Sequence, residues 1–200
     1  MNLSENVNLL KIVITGPESS GKTTLAQDLA ARLNARWVPE FARSYLAHLG
    51  RPYEHNDLKA IRLGQAAWEK WYEHLTMQEW EKSEENRKTA QPLLICDTDW
   101  TVLHIWEQYK YDPTLPYPTL PATSSLHAFY LLCAPDIPWQ PDPLREHPEE
   151  RETLFDLYQN LLMRIKVPYA IVRGNPTQRL QTALVAIREV LFPVRHRRPE

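Results

Sequence analysis

The sequence predicts an α/β fold in three layers, a five-stranded parallel sheet with helices on both faces, and three observations carry that expectation. Five short apolar runs, at 10–15, 36–39, 93–97, 127–133 and 169–173, read as strands buried on both sides. Segments of helical spacing alternate with them, which is the pattern of βαβ units. The first run also leads through a glycine-bearing loop directly into a helix. The helical segments follow in order. Residues 22–34 place Leu25, Leu29, Ala30 and Leu33 on one face, and 40–49 follow the second strand. Residues 57–86 form a long helix or helix pair, with Ile61, Leu63, Ala67, Trp68, Trp71, Leu75 and Trp80 partly buried. The segments 100–109, 148–166 and 176–191 complete the set.

Composition bounds the function. A chain of 200 residues, 43% hydrophobic and 24% charged, is one globular domain or a domain with a lid. Its 23 Lys and Arg against 25 Asp and Glu give a formal charge of −2. That balance argues against nucleic acid or an anionic membrane as the main partner. It leaves room for a local basic site holding a small phosphate ligand, and it does not report the oligomeric state. No run approaches the ~20 apolar residues of a membrane span, and the first residues lack the pattern of a signal peptide. The two cysteines, Cys96 and Cys133, each lie inside an apolar run and read as buried, reduced thiols. A cytoplasmic location is expected. Eight of the 17 prolines fall between Asp112 and Pro143, flanking the fourth strand and stiffening the loops around it. A small lid is expected at roughly 137–152 and a basic, solvated tail at 193–200.

The strongest motif is Gly16-Pro17-Glu18-Ser19-Ser20-Gly21-Lys22-Thr23, which fits G-x-x-x-x-G-K-[ST] at every fixed position. Such an octet arises by chance in on the order of one chain in a hundred of this length at average residue frequencies. Its setting between an apolar strand and an amphipathic helix is the one the mechanism requires. Successive N–H groups form an anion-binding nest at a helix N-terminus. Lys22 then reaches the β- and γ-phosphates of ATP, and the Thr23 hydroxyl serves Mg²⁺. A second element of such sites is a carboxylate at the end of a neighbouring strand. Asp97 ends the third strand and is assigned to the metal with Thr23, while Asp99 caps the following helix or faces substrate. The whole is expected to be a P-loop NTPase fold.

Absence of an N-K-x-D motif removes the G proteins, and AAA+ and helicase machines carry further motifs and usually more chain, which leaves a small phosphotransferase or a nucleotide-driven switch. Glu40 and Arg43, three apart at the end of the second strand, share one helical face turned to the cleft, unless they are an ordinary surface ion pair. Beyond the fourth strand, Trp139, Asp142, Arg145 and Arg151 occupy the expected lid, where arginines can neutralise charge on a transferring phosphoryl group.

At these residues the sequence resembles the nicotinamide riboside kinase domain of the NadR-type proteins of NAD biosynthesis. The likeness is carried by Gly16 to Leu25, Glu40-Phe41-Ala42-Arg43-Ser44-Tyr45-Leu46, Asp97-Thr98-Asp99 and Pro138 to Arg145, over roughly residues 9–190. The resemblance implies ATP-dependent phosphorylation of the 5′-hydroxyl of nicotinamide riboside to the mononucleotide. It places Gly16, Glu18, Ser19, Ser20, Gly21, Lys22, Thr23 and Thr24 at the ATP phosphates. Glu40, Arg43, Tyr45, Asp99, Trp139 and Asp142 fall to the acceptor pocket, and Lys22, Asp97, Glu40, Arg145 and Arg151 to catalysis. Either Asp97 or Glu40 takes the acceptor proton. Ala42 and Pro143 stand where relatives often carry glycine, and no H-x-G-H-type nucleotidyl motif is present, so the chain is not expected to make the dinucleotide. The rivals are a kinase for another nucleoside or small alcohol, and a regulatory ATP- or GTP-binding switch module. Seven tryptophans and nine tyrosines suit a pyridinium acceptor, with Tyr45, Trp100, Trp106 and Trp139 expected near the cleft. The turn at Gly174-Asn175-Pro176 is expected beside the adenine.

Overall fold

Strands β1 (Leu10–Thr15), β2 (Arg36–Val38), β3 (Leu93–Asp97), β4 (Ala128–Cys133) and β5 (Tyr169–Val172) form one sheet in the order β2-β3-β1-β4-β5. Every neighbouring pair is parallel in a computed structural model that describes residues 8–83, 91–118 and 128–192. The helices are α1 (Lys22–Leu33), α2 (Phe41–Leu49), α3 (His55–Lys82), α4 (Trp100–Lys110), α5 (Arg151–Ile165) and α6 (Pro176–Leu191). The expected α/β architecture with a five-stranded parallel sheet is therefore the one observed.

Period-two alternation along the strands divides the core into two layers. Ile12 and Ile14 face α1 and α6, packing with Leu25, Leu29, Ala183 and Ile187. Val13 and Cys96 face the opposite way, toward Ile105 of α4 and Phe155 and Leu161 of α5. A smaller cluster of Ala42, Leu58, Ile61 and Leu103 joins α2, α3 and α4 at one side. Each fully buried Ile or Leu contributes roughly 1.5–3 kcal/mol, so these layers hold the strand ends in place. Both Cys96 and Cys133 are buried and free.

Strand order decides where the chemistry can sit. β1 is central, flanked by β3 and β4; the chain leaves it for the β2 edge, returns through β3, and then crosses over to β4 on the other side. Parallel strands end on one edge, and the crevice at such a switch point is where α/β sheets take ligands. The loop after β1, the turn after β3 and the segment 134–150 after β4 all open onto that edge.

Several boundaries differ from the sequence reading. The long helical segment is one helix that starts at His55 rather than 57: Glu54 is its N-cap, and Asp57, in the first turn, accepts from the Glu54 N–H at 2.7 Å to complete a capping box. Leu63 and Trp71, expected to be partly buried, are 64% and 60% exposed. They fall on the outer face, while Ile61 and Trp68 face inward. Trp68 meets Phe41 edge-on with centroids 4.9 Å apart. Gly64 allows that approach, since a Cβ there would lie 2.1 Å from the Phe41 ring. α5 begins at Arg151 rather than 148. Residues 84–86, 127 and the expected basic tail at 193–200 lie outside the described residues. Among the described residues no helix is long and apolar enough to cross a membrane.

Candidate functional site

β1 delivers its chain to Gly16, whose φ of +133° and 2.6 Å approach of a would-be Cβ to the Cys133 carbonyl admit only glycine. Ser19 (φ 52°) and Gly21 (φ 78°) are left-handed, so the backbone curls into a nest at the N-terminus of α1. Two side chains close the loop on itself: Ser20 Oγ donates to the Pro17 carbonyl at 2.7 Å and Lys22 Nζ to the same oxygen at 2.8 Å. Loop residues Gly16 and Glu18 through Thr24 line a cleft of about 240 Å³.

The far side of the cleft is built by α2 and α4. Glu40 ends the β2–α2 connection and Arg43 lies in the first turn of α2, and both line the cavity. An apolar wall of Ala42, Leu46, Val102 and Trp106 stands beside them. Burial holds the Glu40 carboxyl above its ordinary range, opposed by Lys22 and reinforced by the Asp97 and Glu18 charges. Arg43 does not pair with Glu40. It donates instead to Asp142 at 2.9 Å, and Asp142, which also accepts from the Leu144 N–H, is held below the usual carboxylate range.

Asp97 is buried at the end of β3, its register partner being Ile14 of β1. Burial raises its carboxyl, and a hydrogen bond from the Thr23 hydroxyl opposes the rise. Its Oδ1 is buried without a protein partner among the described residues. An orphaned carboxylate oxygen beside a hydroxyl at a phosphate loop fits a Mg²⁺ ion held jointly with ligand phosphates. Among the described residues no cluster of three or more His, Cys, Asp or Glu could hold a metal unaided, so phosphate oxygens are needed to complete such a site.

Of the six residues assigned by the resemblance to the acceptor pocket, Glu40 and Arg43 line the cleft, and Asp142, Asp99, Tyr45 and Trp139 do not. Both Asp99 oxygens are used in the protein: Oδ1 accepts from the Thr101 N–H at 2.9 Å and from its hydroxyl, and Oδ2 accepts from the Tyr130 hydroxyl at 2.7 Å. Asp99 is thus the N-cap of α4, the capping alternative of the sequence reading. Tyr45 turns its hydroxyl to Asp57, 2.9 Å away, because its place on α2 faces α3. Trp139 lies beneath two guanidinium groups, those of Arg145 and Arg151 at 6.0 and 5.8 Å from its ring. Of the aromatic residues expected near the cleft, only Trp106 lines it; Trp100 packs on the core.

Segment 134–150 is docked on the phosphate loop through Glu18 and Ser19. Glu18 Oε2 accepts from the Glu146 and His147 N–H groups at 2.9 and 3.1 Å, so its carboxylate serves that segment. Ser19 Oγ accepts from the Gln140 N–H at 2.9 Å and from Arg145 at 3.4 Å. Arg145 lines the cleft. Arg151 points to the carbonyls of Ile137 at 2.9 Å and Ser19 at 3.4 Å. The sequence reading missed Arg179, a cavity-lining arginine only 3% exposed. A lone arginine in the first turns of the last helix carries no local signal. Pro176 of the Gly174–Pro176 turn does line the cleft.

A glycine-bearing nest between β1 and α1, a carboxylate at the end of the adjacent strand and the observed strand order together define a protein of the P-loop class. A family model described as AAA domain matches residues 11–179, and the chain belongs to that family. No curated protein matches the sequence. Solved structures of similar fold include NadR protein in complex with NR, at 18% identity and a TM-score of 0.60, over 96% of this chain and 52% of that one. NadR protein in complex with NAD and AMP-PNP matches at 18% identity and a TM-score of 0.57, over 95% and 51%. Thymidylate kinase from Ehrlichia chaffeensis matches at 12% identity and a TM-score of 0.51, over 92% and 98%. The chain therefore spans about half the length of the NadR chains, and at these identities the likeness is one of fold.

Proposed function

We propose that this chain is an ATP-dependent small-molecule kinase whose acceptor is the 5′-hydroxyl of nicotinamide riboside, giving the mononucleotide. The observation that carries the reading is one cleft with a phosphate nest on its floor and both Glu40 and Arg43 lining it. The motif resemblance and the fold shared with NadR, one of whose structures holds NR, favour nicotinamide riboside over other hydroxylated acceptors. An apolar wall ending in Trp106 suits a flat, cationic ring.

The residues divide the work by position. The main-chain N–H groups of the loop and the helix N-terminus bind phosphate oxygens. Lys22 exchanges its bond to the Pro17 carbonyl for a phosphate oxygen and so brings positive charge to the group in transfer. Thr23 and Asp97 would hold Mg²⁺, which when bound neutralises charge shared between the β- and γ-phosphates. Asp97, occupied by Thr23 and its metal role, is a poor proton acceptor for substrate. Glu40 lines the cavity and is the better candidate to hold the hydroxyl in line and take its proton. Arg145, and Arg151 behind it, supply charge from the lid.

The reading is tested by ADP release with nicotinamide riboside, uridine, cytidine, thymidine or pantothenate as acceptor. Turnover stimulated by the riboside above all others is the expected result. Stimulation by a different acceptor reassigns the substrate. Slow hydrolysis that ignores every acceptor and rises only with a protein partner turns the reading toward a nucleotide switch.

A further inference from the structure

Arg179 sits in the first turns of α6, yet its guanidinium reaches three separate stretches of chain. NH1 donates to the Ser20 carbonyl of the phosphate loop at 2.8 Å, and NH2 to the Ala134 carbonyl just past β4 at 2.8 Å. Nε donates to the Gly174 carbonyl of the β5–α6 turn at 2.7 Å. Asp136 completes the arrangement: its Oδ1 pairs with Arg179 NH2 and its Oδ2 accepts from the Gly174 N–H at 2.7 Å. Gly174 is thus gripped at both its N–H and its carbonyl.

Such a buried charge is costly to install. An arginine 3% exposed must have its donors satisfied and its charge balanced, and here four of the five N–H donors have protein acceptors among the described residues. Packing alone does not call for it, since an aliphatic side chain would fill the space without the cost of desolvation. The recipients explain the choice. A trans peptide is planar, with its carbonyl and the next N–H pointing in opposite directions. Holding the Ser20 carbonyl toward Arg179 therefore turns the Gly21 N–H to the other side of that peptide, and Gly21 is the N-cap of α1 in the wall of the cleft.

We propose that Arg179 is a positioning residue for the phosphate ligand, fixing the Ser20–Gly21 peptide so that the loop is set before a ligand arrives. Its bond to Gly174 ties the loop to the turn that carries Pro176, so the phosphate floor and that part of the cleft wall are braced together. Preorganised donors need no rearrangement when charge is bound, which is where their value lies. Lysine cannot replace this arginine. Its ammonium is a point donor, whereas the planar fork serves acceptors on three segments at once. The inference rests on the reading of the cleft as a nucleotide site.

The test is titration calorimetry of MgATP and of inorganic triphosphate against the wild-type chain, R179K and D136N, each kept well below its own melting temperature. R179K preserves charge and most of the volume, and D136N leaves the three carbonyl contacts of Arg179 in place. R179K is expected to bind both ligands about tenfold more weakly, by the same factor for each because the fault lies in the loop, while D136N loses less. In turnover, R179K raises the KM for ATP and leaves that for the acceptor within twofold. If R179K lowers the melting temperature but binds triphosphate as wild type does, Arg179 is a stability residue and the inference is overturned. Should R179K not fold, D136N decides: with all three carbonyl contacts kept, a D136N loss for triphosphate of tenfold or more contradicts the assignment to Arg179, and a loss within threefold supports it. Wild-type protein that binds neither ligand overturns the nucleotide reading itself, a result distinct from equal binding by wild type and R179K.

Discussion

Arg43 on α2 and Asp142 beyond β4 are joined at 2.9 Å although 99 positions separate them in the chain. This pair ties α2 to the segment after β4, while Glu18 and Ser19 tie the same segment to the phosphate loop. Arg43 is 48% exposed, so solvent screening limits what the contact adds to stability. A double-mutant cycle of R43A and D142A is expected to give a coupling of about 0.5 kcal/mol in urea unfolding. In kinetics the same variants raise the KM of the acceptor more than that of ATP. Equal effects on both substrates would remove the pair from the acceptor side.

Lys22 contributes one internal hydrogen bond to the fold and, in the proposed reaction, the charge that meets the transferring group. K22A is expected to lower phosphoryl transfer about a hundredfold or more while the thermal midpoint stays nearly unchanged. An active K22A enzyme would take the phosphate loop out of the mechanism.

Asp99 gives the opposite signature. Alanine there removes the cap of α4 and leaves the Tyr130 hydroxyl buried without its acceptor. D99A is expected to lose about 2–4 kcal/mol of stability, read from denaturant midpoints, with the KM of ATP and of acceptor within twofold of wild type at low temperature.

Glu40 sets a pH dependence. Burial raises its carboxyl above the ordinary value of 4.5, so the proton-accepting carboxylate develops only at higher pH. The kcat/KM for the acceptor is expected to rise with pH through that raised value. E40Q flattens the limb at a lower level. A limb that survives intact in E40Q assigns the titration to another group, with Asp97 the next candidate.

Asp57 governs acid stability through the opposite shift. Two hydrogen bonds from Arg51, one from the Glu54 N–H and one from Tyr45 hold its carboxyl well below its ordinary value of 3.8. A depressed carboxylate contributes stability that is present above 3.8 and disappears as pH falls through the lower folded value. D57N is therefore expected to be less stable than wild type at neutral pH. The gap in urea midpoint narrows below about pH 3. A gap independent of pH would mean that Asp57 acts through packing alone.

Much of this site could be read before any coordinates. The octet from Gly16 to Thr23 announces itself because backbone geometry and phosphate chemistry restrict the residue types at fixed spacing. Asp97 could be found for a similar reason, since an acid closing an apolar strand has one place to go. The pairings of Asp99, Tyr45 and Trp139 could not be read so directly. Each shares its neighbourhood with residues that do line the cleft, and only the direction of the side chain tells a cap or a loop cover from a wall. Arg43 shows the same limit: at i+3 from Glu40 it looks like a local partner, and its real partner lies on another segment.

The sequence by itself determined the parallel sheet, the phosphate loop and the strand-end carboxylate, because periodicity and short motifs are local constraints that any fold must satisfy. The tertiary structure alone decided that Asp99 turns into the cap of α4 rather than to the cleft, that residues 134–150 rest on the loop, and that Arg179 reaches the Ser20 carbonyl from the last helix. Those outcomes depend on strand order and on contacts between distant segments, and no short window of sequence encodes the sum of packing and desolvation that selects them.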